Sequence, residues 1–177
     1  MYFKKIKFFF FSNNRNIIGT YTPHQPAVFR GKGKIEFGDN VAFGVIDSPY
    51  FLNTYSYIEA RNHSSLITFG NNVSINNNFS VISEMKIVIG DNVLIGFNCQ
   101  IMDSNFHDLN PANRKNTDPS PEEIIIKNNA FIGNNVTILK GVTIGENVVV
   151  ASGSIVTKSF KDNVVIAGVP ASVISQL

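Results

Sequence analysis

The sequence predicts an all-β protein, a parallel β-helix whose coils are triangular, with one short strand on each side. The first observation is a period of six, with β-branched residues at every sixth position: Ile126, Ile132, Ile138, Ile144, Val150 and Val156. The second is that small or apolar residues follow most of them four positions later. The third is that Asn and Gly, which tolerate the backbone of tight corners, lie in between. Three hexads then form one coil of about 18 residues, a pattern that neither a helix nor one long strand explains.

The N-terminal segment, residues 1–30, is expected to be non-repetitive, because Pro23 and Pro26 indicate loop. It begins MYFKKIKFFFF, and its apolar part is too short for the apolar region of a signal peptide, about 7–15 residues. No apolar run approaches the roughly 18–20 residues that span a bilayer. Either these Phe side chains pack on the solenoid, or the segment attaches to a membrane surface. No other part of the chain is expected to contact a membrane.

The β-helix is expected over residues 31–158. Residues 45–66 depart from the period and are degenerate coils or an outward excursion. A slip of two residues at 83–86 shifts the frame, after which Cys99 falls on an inward position, so we expect it in the core rather than as a nucleophile. Before the last run, regular hexads occur at Phe69, Ile75, Val81, Ile89, Ile95 and Ile101.

The period stops at residues 102–125, which contain Pro111, Pro119 and Pro121. Solenoids carry insertions on one face, often the binding face, and a loop of this length in a compact domain is usually functional. Residues 159–177 leave the period again and are expected to cap the open end of the solenoid.

Composition narrows the class of partner and the compartment. The chain is 44% hydrophobic and 16% charged, as expected for a solenoid whose polar surface comes from Asn, Ser and Thr. A net charge of +2 argues against a nucleic-acid partner. The single cysteine excludes an intrachain disulfide and suits the cytoplasm. We therefore expect a cytoplasmic protein, with peripheral membrane attachment as the alternative.

His107 is the candidate for chemistry. It lies in the long loop, with Asp103 four residues before it and Asp108 directly after it. An imidazole beside a carboxylate is the usual general base near neutral pH, although a solvated loop histidine would give the same pattern. His24 and His63 lie in irregular stretches with no acid arranged around them, and are interpreted as surface or structural residues.

Four motifs carry a family resemblance: IGDNVLIG at 89–96, ILKGVTIG at 138–145, SGSIVTK at 152–158 and AGVPA at 167–171. From about Gln25 onward the chain resembles the left-handed parallel β-helix acetyltransferases of the hexapeptide-repeat superfamily. Within it, the chain is similar to the branch of galactoside and maltose O-acetyltransferases and the O-acetyltransferases of capsule and lipopolysaccharide synthesis.

The resemblance implies a reaction and a set of residues. His107 would take the proton of an acceptor hydroxyl, which attacks acetyl-CoA directly, and Asp103 or Asn105 would orient the imidazole. Asn76 and Glu84 match positions that line the acceptor sugar site, where Glu84 stands in place of an aspartate. Arg114 would contact an anionic glycan or a phosphate, or is a solvated charge.

For acetyl-CoA, the acyl donor, the resemblance indicates Asn134, Ser152, Thr157 and Lys158. Thr157 could instead serve only as a corner and Lys158 only as a surface charge. The family often carries cations where this chain has Ser172 and Ser175, so CoA is expected to bind more weakly or to have its 3′-phosphate held differently. Phe131 also replaces a common Trp. No metal is expected.

The resemblance also implies a homotrimer with a saccharide acceptor bound between subunits. One rival function is N-acetylation of an amino sugar or nucleotide sugar, which the same base would serve. Another is an inert solenoid that acts as a scaffold or trimerisation module. A zinc carbonic anhydrase on the same fold would need three His ligands, whereas the three histidines are scattered at 24, 63 and 107.

Overall fold

The computed structural model describes residues 7–8 and 10–177. Residues 7, 8, 10 and 11 are helical, and one 3-10 helix, Pro111–Asn113, lies in the long loop. The strands, in chain order, are β1 (Ile17–Ile18), β2 (Tyr21–Pro23), β3 (Ala27–Gly31), β4 (Lys34–Phe37), β5 (Val41–Phe43), β6 (Ser56–Ala60), β7 (Leu66–Phe69), β8 (Ser74–Ile75), β9 (Ser80–Ser83), β10 (Lys86–Ile89), β11 (Leu94–Ile95), β12 (Gln100–Met102), β13 (Ile124–Ile126), β14 (Phe131–Ile132), β15 (Thr137–Ile138), β16 (Thr143–Ile144), β17 (Val149–Val150), β18 (Ile155–Val156), β19 (Val164–Gly168) and β20 (Ala171–Gln176).

Three parallel sheets form the sides of the solenoid, and the chain passes through them in turn. Sheet A contains β1, β4, β7, β10, β13 and β16; sheet B contains β2, β5, β8, β11, β14, β17, β19 and β20; sheet C contains β3, β6, β9, β12, β15 and β18. Equivalent residues of neighbouring coils are in register, as in the pairs Ile126 with Ile144 and Ile132 with Val150. The predicted triangular β-helix is confirmed.

The core is a continuous column of inward side chains, because alternate residues of each strand point into the coil. At the N-terminal end it is aromatic: the Phe37 and Phe69 rings stack with their centroids 5.0 Å apart. Toward the C-terminus it consists mainly of Ile and Val. Cys99 is 1% exposed, which confirms its predicted core position. Burial raises the pKa of the Cys99 thiol to about 11.

Asn residues form the corners, as the sequence predicted. Those with positive φ lie between 56° and 60°, a left-handed backbone that Asn tolerates better than most residues. Their side-chain amides hydrogen-bond from coil to coil, as from Asn78 to Asn98 and from Asn98 to Asn135, both at 2.8 Å. The corners are therefore held by stacked amides as well as by the strands.

The first coil begins before residue 31, where the repeats were expected to start. Strands β1, β2 and β3 already pair in parallel with β4, β5 and β6, for example Ile17 with Ile35. Large aromatic residues, Tyr21 and Phe29, pack inside this coil with their ring centroids 5.1 Å apart. The six-residue pattern of branched aliphatic side chains is therefore absent here although the coil is present.

Two other irregular stretches take defined forms. Residues 44–55 leave the solenoid at the corner between sheets B and C, whereas β6 is a regular strand of sheet C. Of the two alternatives expected for residues 45–66, an outward excursion therefore describes the first part and a coil describes the second. The Asn77 side chain anchors the excursion by donating to the carbonyls of Val45 and Pro49, each at 2.9 Å. At the C-terminal end, β19 extends sheet B in parallel and β20 folds back antiparallel to it.

The N-terminal segment lies against the first coil. The Ser12 hydroxyl accepts a hydrogen bond from the Phe29 N–H on β3 (3.0 Å). Phe8 packs on Tyr55 with ring centroids 4.8 Å apart, whereas Phe10 and Phe11 are exposed. The expectation that the Phe-rich start packs on the solenoid or attaches to a membrane also concerns residues 1–6 and 9, which lie outside the described residues. Within residues 7–8 and 10–177, no helix has the length and apolar character needed to cross a bilayer.

Candidate active site

A long loop leaves the solenoid at one corner and carries His107. It departs after β12 of sheet C and returns at β13 of sheet A, so it occupies the corner between these two sheets. The backbone N–H of Asp108 donates to the Asn116 carbonyl (3.0 Å), which joins the two sides of the loop tip. The Asn110 side chain caps the 3-10 helix at that tip. His107 therefore lies on a turn that is stabilised by hydrogen bonds within the loop.

Glu84 is buried at the same corner and holds both ends of the loop. Its carboxylate accepts hydrogen bonds from the hydroxyls of Ser104 (2.5 Å) and Thr117 (2.6 Å), which lie on opposite sides of His107 in the chain. The Arg61 guanidinium lies 3.5 Å from the same carboxylate. A buried carboxylate with three donors is stable only while all three stay in place, so Glu84 couples the loop to the solenoid.

Asp118 forms a second clamp on the loop. Its carboxylate accepts from the Asn105 N–H (2.8 Å), the Ser120 N–H (3.0 Å) and the Lys140 ammonium (2.8 Å). Burial disfavours the charged form of Asp118, but these donors outweigh burial and lower its pKa to about 2. Lys140 belongs to the turn after β15, so the clamp joins the loop to a neighbouring coil.

Phe106 sets the direction in which the chain enters His107. Its φ is +60°, a conformation that bulky side chains rarely adopt. Its N–H donates to the Ser104 hydroxyl (2.9 Å), and the Arg61 guanidinium lies 4.3 Å from the centre of its ring. Glu59 in turn holds Arg61, at 3.0 Å from its Nε. Two contacts therefore stabilise the strained conformation of Phe106, a hydrogen bond to its backbone and a cation over its ring.

The His107 imidazole is exposed, and its tautomer follows from one contact. Its Nδ1 lies 3.0 Å from the backbone carbonyl of Arg114. A carbonyl oxygen only accepts hydrogen bonds, so Nδ1 carries the proton and Nε2 is the basic nitrogen. The side chain of Arg114 is exposed and donates to the Leu109 carbonyl (2.9 Å), which stabilises the same turn. The geometry thus presents a base to solvent at Nε2.

Asp103 and Asn105 do not orient the imidazole as the resemblance implied. The buried Asp103 carboxylate accepts from the Ser83 hydroxyl (2.6 Å) and from the N–H groups of Glu84, Met85 and Lys86, so it closes the turn between β9 and β10. The exposed Asn105 contributes its backbone N–H to the Asp118 clamp. The orienting group is instead the Arg114 carbonyl, because the turn at 107–114 brings that oxygen to the ring.

A groove of about 370 Å³ on the outer face of sheet B contains two other predicted residues, Asn76 and Asn134. Leu94 and Phe131, about half exposed, form apolar walls, and His24 also lines the groove. The Asn134 side-chain oxygen accepts from the Phe97 N–H (3.0 Å), so part of its hydrogen-bonding capacity is used within the corner. Phe131 supplies a flat aromatic wall of this groove.

The two sets of candidate residues lie at different corners of one chain. Asn76 is at the corner between sheets B and C, whereas Glu84 and His107 are at the corner between sheets C and A. Strand β9 separates them, and its four residues alone span about 10 Å. One chain therefore does not bring Asn76 to His107.

The remaining donor-binding candidates lie along the last coils. The Ser152 hydroxyl accepts a hydrogen bond from the Asn134 N–H (3.0 Å), so Ser152 lies one coil beyond Asn134 at the corner between sheets B and C. Thr157 and Lys158 are exposed, and Lys158 lies with Lys161 along a surface groove of about 480 Å³. Ser172 and Ser175 are exposed on β20 and add no positive charge. Across the described residues, no group of three or more His, Cys, Asp or Glu side chains could hold a metal ion.

Sequence reasoning found His107 but missed Arg61, Phe106, Asp118 and Lys140. These residues come from three separate parts of the chain, the turn after β6, the long loop and the turn after β15, and only the fold brings them together. A signal was present in the isolated Asp118 between Thr117 and Pro119, a short polar residue typical of a loop that makes its own hydrogen bonds.

Comparison with known proteins decides the family. Two family models match, described as bacterial transferase hexapeptide (six repeats) over residues 123–158 and hexapeptide repeat of succinyl-transferase over residues 86–101. A galactoside O-acetyltransferase of Escherichia coli (strain K12) is 41% identical over 115 residues, which are 65% of this chain and 56% of the relative. A protein of the same strain, provisionally named lipopolysaccharide biosynthesis O-acetyl transferase WbbJ, is 32% identical over 159 residues, 85% of this chain and 76% of the relative.

The chain belongs to the hexapeptide-repeat acetyltransferases. Two solved members share its left-handed β-helix. A hexapeptide-repeat acetyltransferase from Vibrio cholerae, VCA0836, is 25% identical with a TM-score of 0.62, covering 94% of this chain and 73% of that one. A galactoside acetyltransferase in complex with coenzyme A is 31% identical with a TM-score of 0.55, covering 91% and 64%. The present chain spans little more than half of the Escherichia coli galactoside O-acetyltransferase, 56% of its length.

Proposed function

We propose that the protein transfers the acetyl group of acetyl-CoA to a hydroxyl of a saccharide, with His107 as general base. The observation that carries this proposal is the Nδ1 contact with the Arg114 carbonyl, which leaves Nε2 as an exposed, oriented base. The loop clamps at Glu84 and Asp118 keep that base in one place, as general base catalysis requires. Family membership supports the same reaction.

The reaction runs in one direct transfer. Nε2 of His107 takes the proton as the acceptor hydroxyl oxygen bonds to the acetyl carbonyl carbon. The carbon–sulfur bond of the thioester then breaks, and the proton on Nε2 passes to the departing thiolate. The ester and the free thiol of CoA leave, the imidazole is neutral again, and no covalent enzyme intermediate forms.

The donor would lie along the last coils, with its acetyl end toward the His107 loop. Lys158 and Lys161 are the exposed cations of the groove there and suit the phosphates of CoA. With Ser172 and Ser175 in place of cations, we expect this chain to hold the 3′-phosphate through Lys158. Because acetyl-CoA is a cytoplasmic metabolite, we place the reaction in the cytoplasm.

The acceptor is proposed to be a precursor or repeat unit of a surface polysaccharide. Two relatives are named for a galactoside and for lipopolysaccharide biosynthesis, which supports a sugar hydroxyl over an amine. The exposed Arg114 side chain on the loop suits an anionic glycan. Thiol release from acetyl-CoA with plain sugars and with amino sugars, followed by mass measurement of the product, distinguishes O-transfer from the N-transfer alternative.

His107→Ala tests the base directly. We expect turnover to fall by roughly 10²–10⁴-fold, the usual contribution of a general base. His63→Ala is the matched control, since His63 is exposed on the turn between β6 and β7 and is assigned no role. A scaffold with no activity of its own would show no acetyl transfer in either variant or in the natural protein, whereas equal rates for all three would refute the role of His107.

We propose in addition that the site is completed by a second chain of a homotrimer, because Asn76 and His107 lie at different corners of one chain. Mixing inactive His107→Ala and Asn76→Ala chains tests this. If His107 of one chain works beside Asn76 of the next, about one quarter of the sites in random trimers contain both natural residues. Recovery of about a quarter of the natural rate supports a shared site, and no recovery above either parent refutes it.

A further inference from the structure

The positive charge of the chain is concentrated at one end. Residues 1–35 contain seven of the fifteen Lys and Arg residues and none of the thirteen Asp and Glu residues. The remaining 142 residues therefore carry eight cations against thirteen carboxylates. The first coil and the segment before it are basic, while the rest of the solenoid is acidic, although the whole chain has a net charge of only +2.

Aromatic side chains are exposed at the same end. Phe10 is 79% exposed and Phe11 is 54% exposed. Leu52 and Tyr55, on the excursion that packs beside this segment, are 78% and 41% exposed. Between them lies a groove of about 480 Å³ lined by Lys7, Phe8, Phe11, Val28, Arg30, Asn53 and Tyr55. Exposed apolar groups in one place mark an interaction surface more often than single scattered ones do.

Cations and rings alternate within this surface. The Lys7 ammonium lies 5.8 Å from the centre of the Phe8 ring and 5.9 Å from that of Phe11. The Arg30 guanidinium donates to the Phe11 carbonyl (2.9 Å). Glu59, which lies opposite Arg30 on the neighbouring strand, is already paired with Arg61 (3.0 Å). The surface therefore offers a positive field together with apolar side chains.

The segment that carries these rings is attached to the solenoid by polar contacts. The Ser12 hydroxyl accepts from the Phe29 N–H, and the Asn14 amide donates to the Gly33 carbonyl (3.0 Å). The backbone N–H groups of Asn13 and Asn14 also donate to the Phe29 carbonyl. Because these bonds fix the base of the segment to β3, the rings that precede it can insert into a partner without unfolding the first coil.

We propose that this basic, aromatic end of the solenoid docks on an anionic lipid surface. Phe10 and Phe11 would enter the interface between headgroups and acyl chains, while Lys7 and Arg30 would neutralise headgroup phosphates. A nucleic-acid duplex would use the cations but not the exposed rings, and the exposed aliphatic side chain of Leu52 beside them suits acyl chains better than the stacked bases of a single strand. The docking is independent of the proposed acetyl transfer and would hold the enzyme beside a membrane-bound acceptor.

Vesicle sedimentation tests the docking. The probes are phosphatidylcholine vesicles and vesicles with about one third phosphatidylglycerol, at about 0.05 M and about 0.5 M salt. We expect binding to the anionic vesicles only, and weaker binding at high salt. Lys7→Gln/Arg30→Gln should weaken binding by about 25-fold, at about fivefold for each cation. Phe10→Ser/Phe11→Ser should weaken it at least tenfold.

A matched control removes the same charge elsewhere. Lys86→Gln/Lys127→Gln neutralises two partly exposed lysines, Lys86 on β10 of sheet A and Lys127 at the turn after β13. This variant should change vesicle binding less than threefold. Circular dichroism checks that all variants fold. The proposal is overturned if the natural protein fails to sediment with anionic vesicles at low salt, or if the control loses as much binding as the N-terminal pair. Retained vesicle binding in Phe10→Ser/Phe11→Ser, or tighter binding to a single-stranded oligonucleotide than to vesicles, overturns it as well.

Discussion

Replacing Asp118 by Asn asks how strongly a buried charge holds the loop that carries His107. The carboxylate accepts from the Lys140 ammonium and from two backbone N–H groups, those of Asn105 and Ser120. Burial alone would raise its pKa, but these donors lower the pKa from 3.8 to about 2. The amide of Asn keeps the shape of the side chain and loses the charge, so the substitution isolates the electrostatic part.

The magnitude follows from that pKa difference. At about 1.4 kcal/mol for each pH unit, it corresponds to about 2.5 kcal/mol of folding free energy. The folded pKa lies below the unfolded one, so this stabilisation is complete above about pH 5 and is lost as the pH falls toward 2. We expect Asp118→Asn to be about 2–3 kcal/mol less stable than the natural protein at pH 7, and about half as much at pH 3.

Urea unfolding of both proteins at pH 7, 4 and 3, followed by circular dichroism, measures the difference. Lys140→Met and the double variant complete a thermodynamic cycle, in which we expect a coupling of about 1–2 kcal/mol between the two side chains. A stability difference that stays constant from pH 7 to pH 3 would contradict the electrostatic account. A coupling below about 0.5 kcal/mol would show that Lys140 is not the partner that matters.

Three further outcomes are expected. Arg61→Lys keeps a positive charge beside Glu59 but loses the flat contact with Phe106, so turnover should fall about tenfold with unfolding free energy unchanged within about 1 kcal/mol. Asn72→Ala, at φ +57°, should cost about 2 kcal/mol in urea unfolding and Asn72→Gly about half, because glycine tolerates that backbone. Cys99 should react with a disulfide reagent at pH 8 at least 100-fold more slowly in the folded protein than in urea, because burial raises the pKa of its thiol to about 11.

The coils could be predicted where the inward residues are branched and aliphatic. A side chain stacked on its equivalent one coil above must repeat with the coil, so Ile126, Ile132 and Ile138 reveal the geometry directly. The first coil could not be predicted in this way. Its inward positions are filled by Tyr21 and Phe29, and a few large rings there occupy the space of several aliphatic side chains.

Within the candidate site, the place of His107 on a long loop could be predicted, but the group that contacts its imidazole could not. A histidine in the longest insertion of a regular solenoid is conspicuous in a sequence. The group that orients it is a backbone carbonyl, and any residue at position 114 would supply that oxygen. Asp103 lies four residues before His107 in the chain, yet its carboxylate faces the turn at 83–86. Proximity in sequence is a weak guide inside an irregular loop.

Two predicted site residues, Glu84 and Asp103, spend their carboxylates on hydrogen bonds within the protein, and the needs of the loop explain why. An exposed imidazole can keep a fixed position only if the chain around it is fixed, and a loop without regular strands must obtain its hydrogen bonds from side chains. Glu84, Asp103 and Asp118 supply them, and each is buried with its acceptors occupied. In the proposed reaction, recognition of a sugar would fall to groups that remain exposed, Asn105 and Arg114 on the loop and the amide-lined groove of sheet B. Since that groove lies at another corner, the exposed imidazole and the exposed amides would meet across two chains of the proposed trimer.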